Sequence, residues 1–262
     1  DPIGRGQGTQ ANDLYSLGAT LAALMRSSDP LHGMSADEVV KYKYDVGSYV
    51  AATGKDRFTG SILELLRGLL NDNEDERWTI EEVLAWMDGR RLSPKQSVKR
   101  ISAPRPLRLG NDKYYSPVLM AMDFEKHQSE LRRSVEDGEM KNWIVRSLEQ
   151  PKLYEHLETA VDQAKAHGQG AGYDERLACF VSVAFDPGAP IRFKGYSLFP
   201  DGIGSALASA YAAKGNVSVF GDMFSQSVVM NWIRGQLNPN LDIPGLVKKF
   251  DSCRNFVKQK KV

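Results

Sequence analysis

Leu14, Leu17, Leu21 and Leu24 recur at helical spacing, and Ala19, Ala22, Ala23 and Met25 fill the remaining sides. A helix that is apolar nearly all round is expected to lie buried in the middle of its domain. Asn12 or Asp13 is placed to cap its start. Asp29-Pro30 reads as a turn, and Ser35 with Glu38 forms a capping box ahead of Val39, Val40 and Tyr42. Ile62, Leu65, Leu66, Leu69 and Leu70 share one stripe, with Glu64 and Arg67 outside it. Thr79 and Glu82 form a second capping box, opening a helix that buries Ile80, Val83, Leu84 and Met87 and stops at Gly89. No alternating strand pattern interrupts this stretch, so residues 1–88 are expected to form an all-helical domain.

Residues 89–108 read as a linker. They hold Arg90, Arg91, Lys95, Lys99, Arg100, Arg105 and Arg108, three prolines and no acidic residue. Such a segment is either a docking stripe for an acidic partner or phosphate, or a solvated connector stiffened by proline. From residue 109 helices dominate again, at 117–133, 138–149, 151–166, 174–186, 202–214, 226–236 and 244–258. Short extended pieces are expected at Lys113–Ser116 and Ile191–Leu198. The basic tail from Lys248 onward is expected to fray.

Asn142-Trp143-Ile144 followed by Leu148 has a counterpart in Asn231-Trp232-Ile233 followed by Leu237. Lys113-Tyr114-Tyr115-Ser116 and Lys194-Gly195-Tyr196-Ser197 stand upstream of the two. Either two copies of a small helical unit (109–166 and 190–258) pack on each other, or two amphipathic helices both use tryptophan as an anchor. The fold class expected is therefore all-α, with a second mainly helical domain over 109–262.

Composition narrows the function classes. The chain of 262 residues carries 34 Lys and Arg against 33 Asp and Glu, a net charge of +1. That balance gives no bulk reason to bind nucleic acid or an anionic membrane. No apolar run reaches the roughly 20 residues that span a bilayer. With two cysteines, Cys179 and Cys253, a disulfide framework is excluded and a reducing, cytoplasmic setting is the expectation. The absence of an initiator methionine suggests a fragment.

Asn12-Asp13-Leu14-Tyr15-Ser16-Leu17-Gly18 resembles the opening of the central C-lobe helix of protein kinases, where Asp-x-Tyr/Trp-Ser-x-Gly recurs. Asp29-Pro30-Leu31-His32-Gly33-Met34-Ser35 is similar to the Pro-Phe-x-Gly-x-Ser approach to the next kinase helix. Leu65 to Leu70, then Asn71 to Glu76, then Arg77-Trp78-Thr79 resembles the family's closing leucine-rich helix, acidic turn and Arg-x-Thr segment. The three motifs follow in family order over about a third of the chain and look most like bacterial Ser/Thr kinases. The resemblance implies that Asp13, Arg77 and Trp78 are structural anchors of a partial kinase-like C-lobe. It implies that Asp13 receives hydrogen bonds from a catalytic loop, and that Arg77 pairs with the glutamate of an Ala-Pro-Glu motif. Here Asp1-Pro2-Ile3 would put Ile3 at that glutamate, a departure that points toward a degenerate kinase. The helix after Ser35 is one that kinases use for docking, so Tyr42 and Tyr44, with Arg90 and Arg91 of the basic stretch, are candidate partner contacts.

The groups of phosphoryl transfer precede this segment in kinases and have no counterpart in residues 1–262. This chain is accordingly expected to be non-catalytic and without a cofactor, ATP and Mg being implied only for an active parent. The partner expected is a protein or the rest of the kinase-like parent, with no membrane and no nucleic acid. Three functions are carried forward: a regulatory or protein-interaction region of a kinase-like protein; part of a pseudokinase scaffold; or a helical extension that binds a polyanion or small ligand. Gly4 to Gly8 reads as a flexible loop, and Gly168 to Gly172 as a hinge between helices. Asp123-Phe124-Glu125 reads as part of an amphipathic helix with Phe124 in the core. His32, His127, His156 and His167 lack paired metal-ligand spacing.

Overall fold

The computed structural model describes residues 8–95, 100–236 and 242–260, with backbone alone at 253, 254 and 256–260. The described chain is mostly helical, and it divides into two compact units at the Arg100–Ile101 boundary.

The first unit contains α1 (Gln10–Met25), α2 (Ala36–Val46), α3 (Ser48–Thr53), α4 (Gly60–Leu69) and α5 (Ile80–Met87). Both capping boxes form. Ser35 and Thr79 each accept from the backbone three residues on, and Glu38 and Glu82 reach back to the cap. A cap of this kind stabilises by about 0.5–2 kcal/mol. Gly89 ends α5 with a left-handed backbone, φ +82°. The cap of α1 is Thr9 rather than Asn12 or Asp13: its hydroxyl accepts from Asn12 N and donates to Glu74 Oε1 at 2.6 Å. The short α3 follows Gly47, with Ser48 N donating to the Asp72 carboxylate.

The burial of α1 corrects the sequence reading. Its buried residues are Leu14, Gly18 and Ala22, while Leu17, Leu24 and Met25 are exposed. The reason is a close α1–α4 approach. A methyl group at Gly18 would lie 2.7 Å from Leu69 Cβ, so the small residues turn inward and the leucines beside them turn out. Leu14, Leu65, Leu69, Trp78 and Val83 form one core cluster, and Ala22, Leu66 and Leu70 form another.

In the second unit β1 (Leu107–Leu109) and β2 (Asp112–Tyr114) form an antiparallel hairpin, with Leu107 opposite Tyr114. Then come α6 (Pro117–Ala121), α7 (Gln128–Glu136), α8 (Glu139–Arg146), α9 (Pro151–Ala166) and α10 (Tyr173–Phe185). A second hairpin, β3 (Ile191–Phe193) and β4 (Tyr196–Leu198), pairs Ile191 with Leu198. It leads to α11 (Ile203–Ala212), α12 (Ser218–Ser225), α13 (Val228–Gly235) and α14 (Ile243–Lys260). The mainly helical expectation holds, and the short extended pieces expected near 113–116 and at 191–198 are strands of two small hairpins. The first begins inside the stretch read as linker.

The helix expected over 117–133 breaks after α6. Asp123, 4% exposed, accepts from Tyr114 Oη at 3.0 Å and from Lys126 Nζ at 3.0 Å. The bond from Tyr114 ties this segment to the β1–β2 hairpin, while the bond from Lys126 is local to the turn. Phe124 is fully buried, as read, but in this break and not in a helix. The sequence pattern missed α12, which starts where Asn216 Oδ1 accepts from the Ser218 amide and hydroxyl. The tail expected to fray is helical to Lys260.

The centre of this unit is α10, buried at ten positions including Leu177, Phe180 and Val181. It packs on α9, α13, α7, α6 and β3. Arg176, 3% exposed on this helix, donates to the carbonyls of Ala164 and Gly168 and to Gln226 Oε1. The glycine-rich connection read as a hinge is thus clamped by a buried guanidinium, whose pKa burial lowers.

Both tryptophan helices are eight residues long with tryptophan at the fifth position. Each follows a left-handed residue, Gly138 or Ser227. Trp143 Nε1 donates to Arg105 O at 2.8 Å, and Trp232 Nε1 to Ala189 O at 2.7 Å. Each acceptor stands two residues before the first strand of a hairpin. The Lys-x-Tyr-Ser pieces do not correspond: Lys113 lies in β2, whereas Lys194 lies in the turn between β3 and β4.

Candidate functional site

In the first unit, Leu17 and Met25 of α1 and Met87 of α5 stand exposed beside Leu21, Ile62, Leu65, Val83 and Trp86. Together they line an apolar groove of about 280 Å³. Leu24 (78% exposed), Leu84 (52%) and Met87 (68%) extend the apolar surface around it. Trp86 is fixed at the rim by an Nε1 bond to Ser61 O at 3.0 Å. This surface is carried by helices and leaves several large apolar side chains exposed side by side. It was missed in the sequence because the leucine stripe of α1 reads as core until the Gly18 contact sets the helix's rotation.

The anchors expected at Asp13, Arg77 and Trp78 take three different situations. Asp13 is exposed in the first turn of α1, and its side chain makes no hydrogen bond among the described residues. Arg77 donates to Asn71 O at 3.1 Å and to Ala11 O at 2.8 Å, with its guanidinium 5.0 Å from the Tyr15 ring centroid. It therefore ties the acidic turn to the start of α1. Trp78 is 2% exposed, and its backbone N–H donates to Gly68 O at 3.0 Å. The indole lies flush on Gly68, where a Cβ would come within 2.2 Å of the ring.

Of the four docking candidates, Tyr42 and Tyr44 lie in α2, and Arg90 and Arg91 follow the end of α5. No hydrogen bond, ion pair or ring contact among the described residues joins Tyr42 or Tyr44 to Arg90 or Arg91. Tyr42 and Tyr44 are both half-buried. Tyr44 carries the Arg100 guanidinium 4.8 Å from its ring centroid, and Arg100 also bonds Lys43 O at 3.0 Å and Asp72 Oδ2 at 2.6 Å. Arg91 pairs with Glu64 at 3.5 Å while remaining 83% exposed, and Lys95 pairs with Glu76 at 3.2 Å. Several cations of the basic stretch are thus matched to carboxylates of the first unit. That pairing lowers their value as a polyanion stripe, although exposed pairs are worth little in stability, about 0.2–1 kcal/mol. Lys99 and the glycines at 4 and 6 lie outside the described residues, as does Ile3.

Among the described residues, no group of three or more His, Cys, Asp or Glu is placed to hold a metal ion. None of the described helices is long and apolar enough to cross a membrane. Cys179 is buried, and desolvation pushes its thiol up to about 12, which makes it a packing residue and not a nucleophile. No protein-family model, curated protein or solved structure matches this chain.

Proposed function

We propose that this chain is a protein-interaction region of a Ser/Thr kinase-like protein, its first unit forming the distal half of a C-lobe. The observation that carries the reading is the apolar face of α1 and α5, on the helix that bears the kinase-like motif. In such a lobe that helix sits under a catalytic loop, and the exposed Asp13 is the acceptor that loop would use. The alternative is a degenerate lobe acting as a scaffold, supported by Ile3 standing in the sequence where the glutamate of an Ala-Pro-Glu motif belongs.

The test is to read the coding sequence upstream of Asp1. A glycine-rich flap, a strand lysine, a catalytic-loop Asp…Asn pair and a metal-holding Asp would make the parent an active-kinase candidate. A kinase-like segment with those residues replaced would make it a pseudokinase scaffold. Sequence of neither kind would overturn the reading.

We further infer that the second unit arose by duplication of a hairpin-plus-tryptophan-helix element. What supports this is the repeated indole-to-carbonyl bond, together with the constant spacing of 89 residues between Gly138 and Ser227 and between Trp143 and Trp232. The repeat begins earlier than the sequence suggested, at Arg105 and Ala189.

A further inference from the structure

The second unit carries a groove between α9, α10 and α13 that neither the apolar face nor the kinase-like reading uses. One chamber, of about 170 Å³, is walled by His156, Gln163, Phe180, Val183, Asn231 and Arg234 among others. An adjoining chamber of about 370 Å³ shares Gln163, Phe180, Asn231 and Arg234, and adds His167 and Asp251. Asn231 and Arg234 are i and i+3 on α13, so they stand one above the other on the same face.

Asn231 is 9% exposed, and its Nδ2 finds no hydrogen-bond acceptor among the described residues. A buried amide donor left in this state costs stability and marks a place where an acceptor belongs. The helix itself does not demand asparagine here. Asn142, at the matching position of α8, is exposed, whereas the neighbouring tryptophan and isoleucine are buried in both helices. Arg234 is exposed and makes no ion pair with another described residue. The first chamber therefore presents two amides and a guanidinium, with no carboxylate in its wall. Its floor is apolar, from Phe180, Val183, Ala184 and Pro187. The second chamber differs in having a carboxylate, Asp251, in its wall.

We propose that the α9/α10/α13 chamber binds a short organic carboxylate. The acid oxygens would accept from Asn231 and Arg234, and a hydrocarbon body of a few carbons would rest on Phe180 and Val183. A guanidinium and an amide donating to one carboxylate form charge-assisted bonds, the stronger class of hydrogen bond. The small chamber volume sets the ligand's size.

The test titrates butyrate, butanol and butylamine into the full chain and follows the side-chain N–H signals of asparagine and arginine by NMR. Butyrate should give a saturable shift of the Asn231 amide, and the alcohol and amine should not. Asn231→Leu and Arg234→Gln should each weaken butyrate by about tenfold or more, the loss expected for one charge-assisted bond. Arg234 is exposed, so its variant tests the site even if the Asn231 variant does not fold. Equal responses to butyrate and butanol, no saturable response, or unchanged butyrate affinity in a folded Arg234→Gln chain would each overturn the proposal.

Discussion

Gly68 is the position where a single methyl group should do the most damage in the first unit. It lies within α4, where alanine in place of glycine would ordinarily stabilise by about 0.8–1 kcal/mol. Here the added Cβ would fall 2.2, 2.5 and 2.6 Å from Cδ2, Cε2 and Cγ of Trp78. Carbon atoms pack at about 3.5–4.0 Å, so the ring would have to retreat by roughly 1.3 Å. It has little freedom to do so. Trp78 is 2% exposed, and its own N–H is tied to Gly68 O at 3.0 Å. The atoms in the way belong to a rigid ring close to its backbone, and not to the end of a flexible side chain.

Overpacking of this kind costs about 1–3 kcal/mol, with the upper part of the range fitting a contact this short. Set against the propensity gain, Gly68→Ala should lose about 1–2 kcal/mol net. For a unit of this size that is a fall of about 4–8 °C in melting temperature per kcal/mol. Gly204→Ala is the matched control, being an exposed glycine in α11 with nothing within 4 Å of its Cβ. It should be neutral or stabilising by up to about 1 kcal/mol. Urea unfolding of both variants, with hydrogen exchange of α4 and α11 to locate the change, decides the matter. If Gly68→Ala stabilises as Gly204→Ala does, the indole does not lie on this helix.

Three further outcomes are expected. Trp143→Phe and Trp232→Phe should each cost about 1–3 kcal/mol in urea unfolding, since each leaves a carbonyl without its indole donor; a large loss in one and none in the other would refute their equivalent roles. Burial holds the Asp186 carboxyl above the ordinary aspartate range, against the nearby positive charge of Arg192. The folded chain then retains a proton that the unfolded chain has released, so stability falls as pH rises through that window. Asp186→Asn should be the more stable protein at neutral pH, with the two melting curves converging below about pH 3.9; a gap that persists there would point to packing instead. Finally, Cys179 in a Cys253→Ser chain should resist iodoacetamide at pH 8 and react only on unfolding, and labelling of the native chain in mass spectra would contradict its buried, protonated state.

The sequence by itself determined the local rules. Ser35 with Glu38 and Thr79 with Glu82 specify helix starts through bonds within four residues, and Gly89 specifies a stop through its own backbone freedom. The helix over 174–186 and the return of Asn-Trp-Ile were legible in the sequence as well. Only the tertiary structure decided which faces those helices bury. Leu17 and Leu24 of α1 turn outward, while Leu14 stays buried, because α4 approaches close enough to require Gly18, and nothing in the spacing of leucines records that distance. Tyr44 was a free aromatic in the sequence until Arg100, 56 residues on, closed over it and bonded Asp72. Asp123 ended a helix that its neighbours would have continued, because the acceptor it supplies is wanted by Tyr114 across the hairpin. Asn231 and Asn142 are the same residue in the same tripeptide. One is buried without an acceptor and the other lies in water, because burial is a property of what packs against a helix and not of the helix alone.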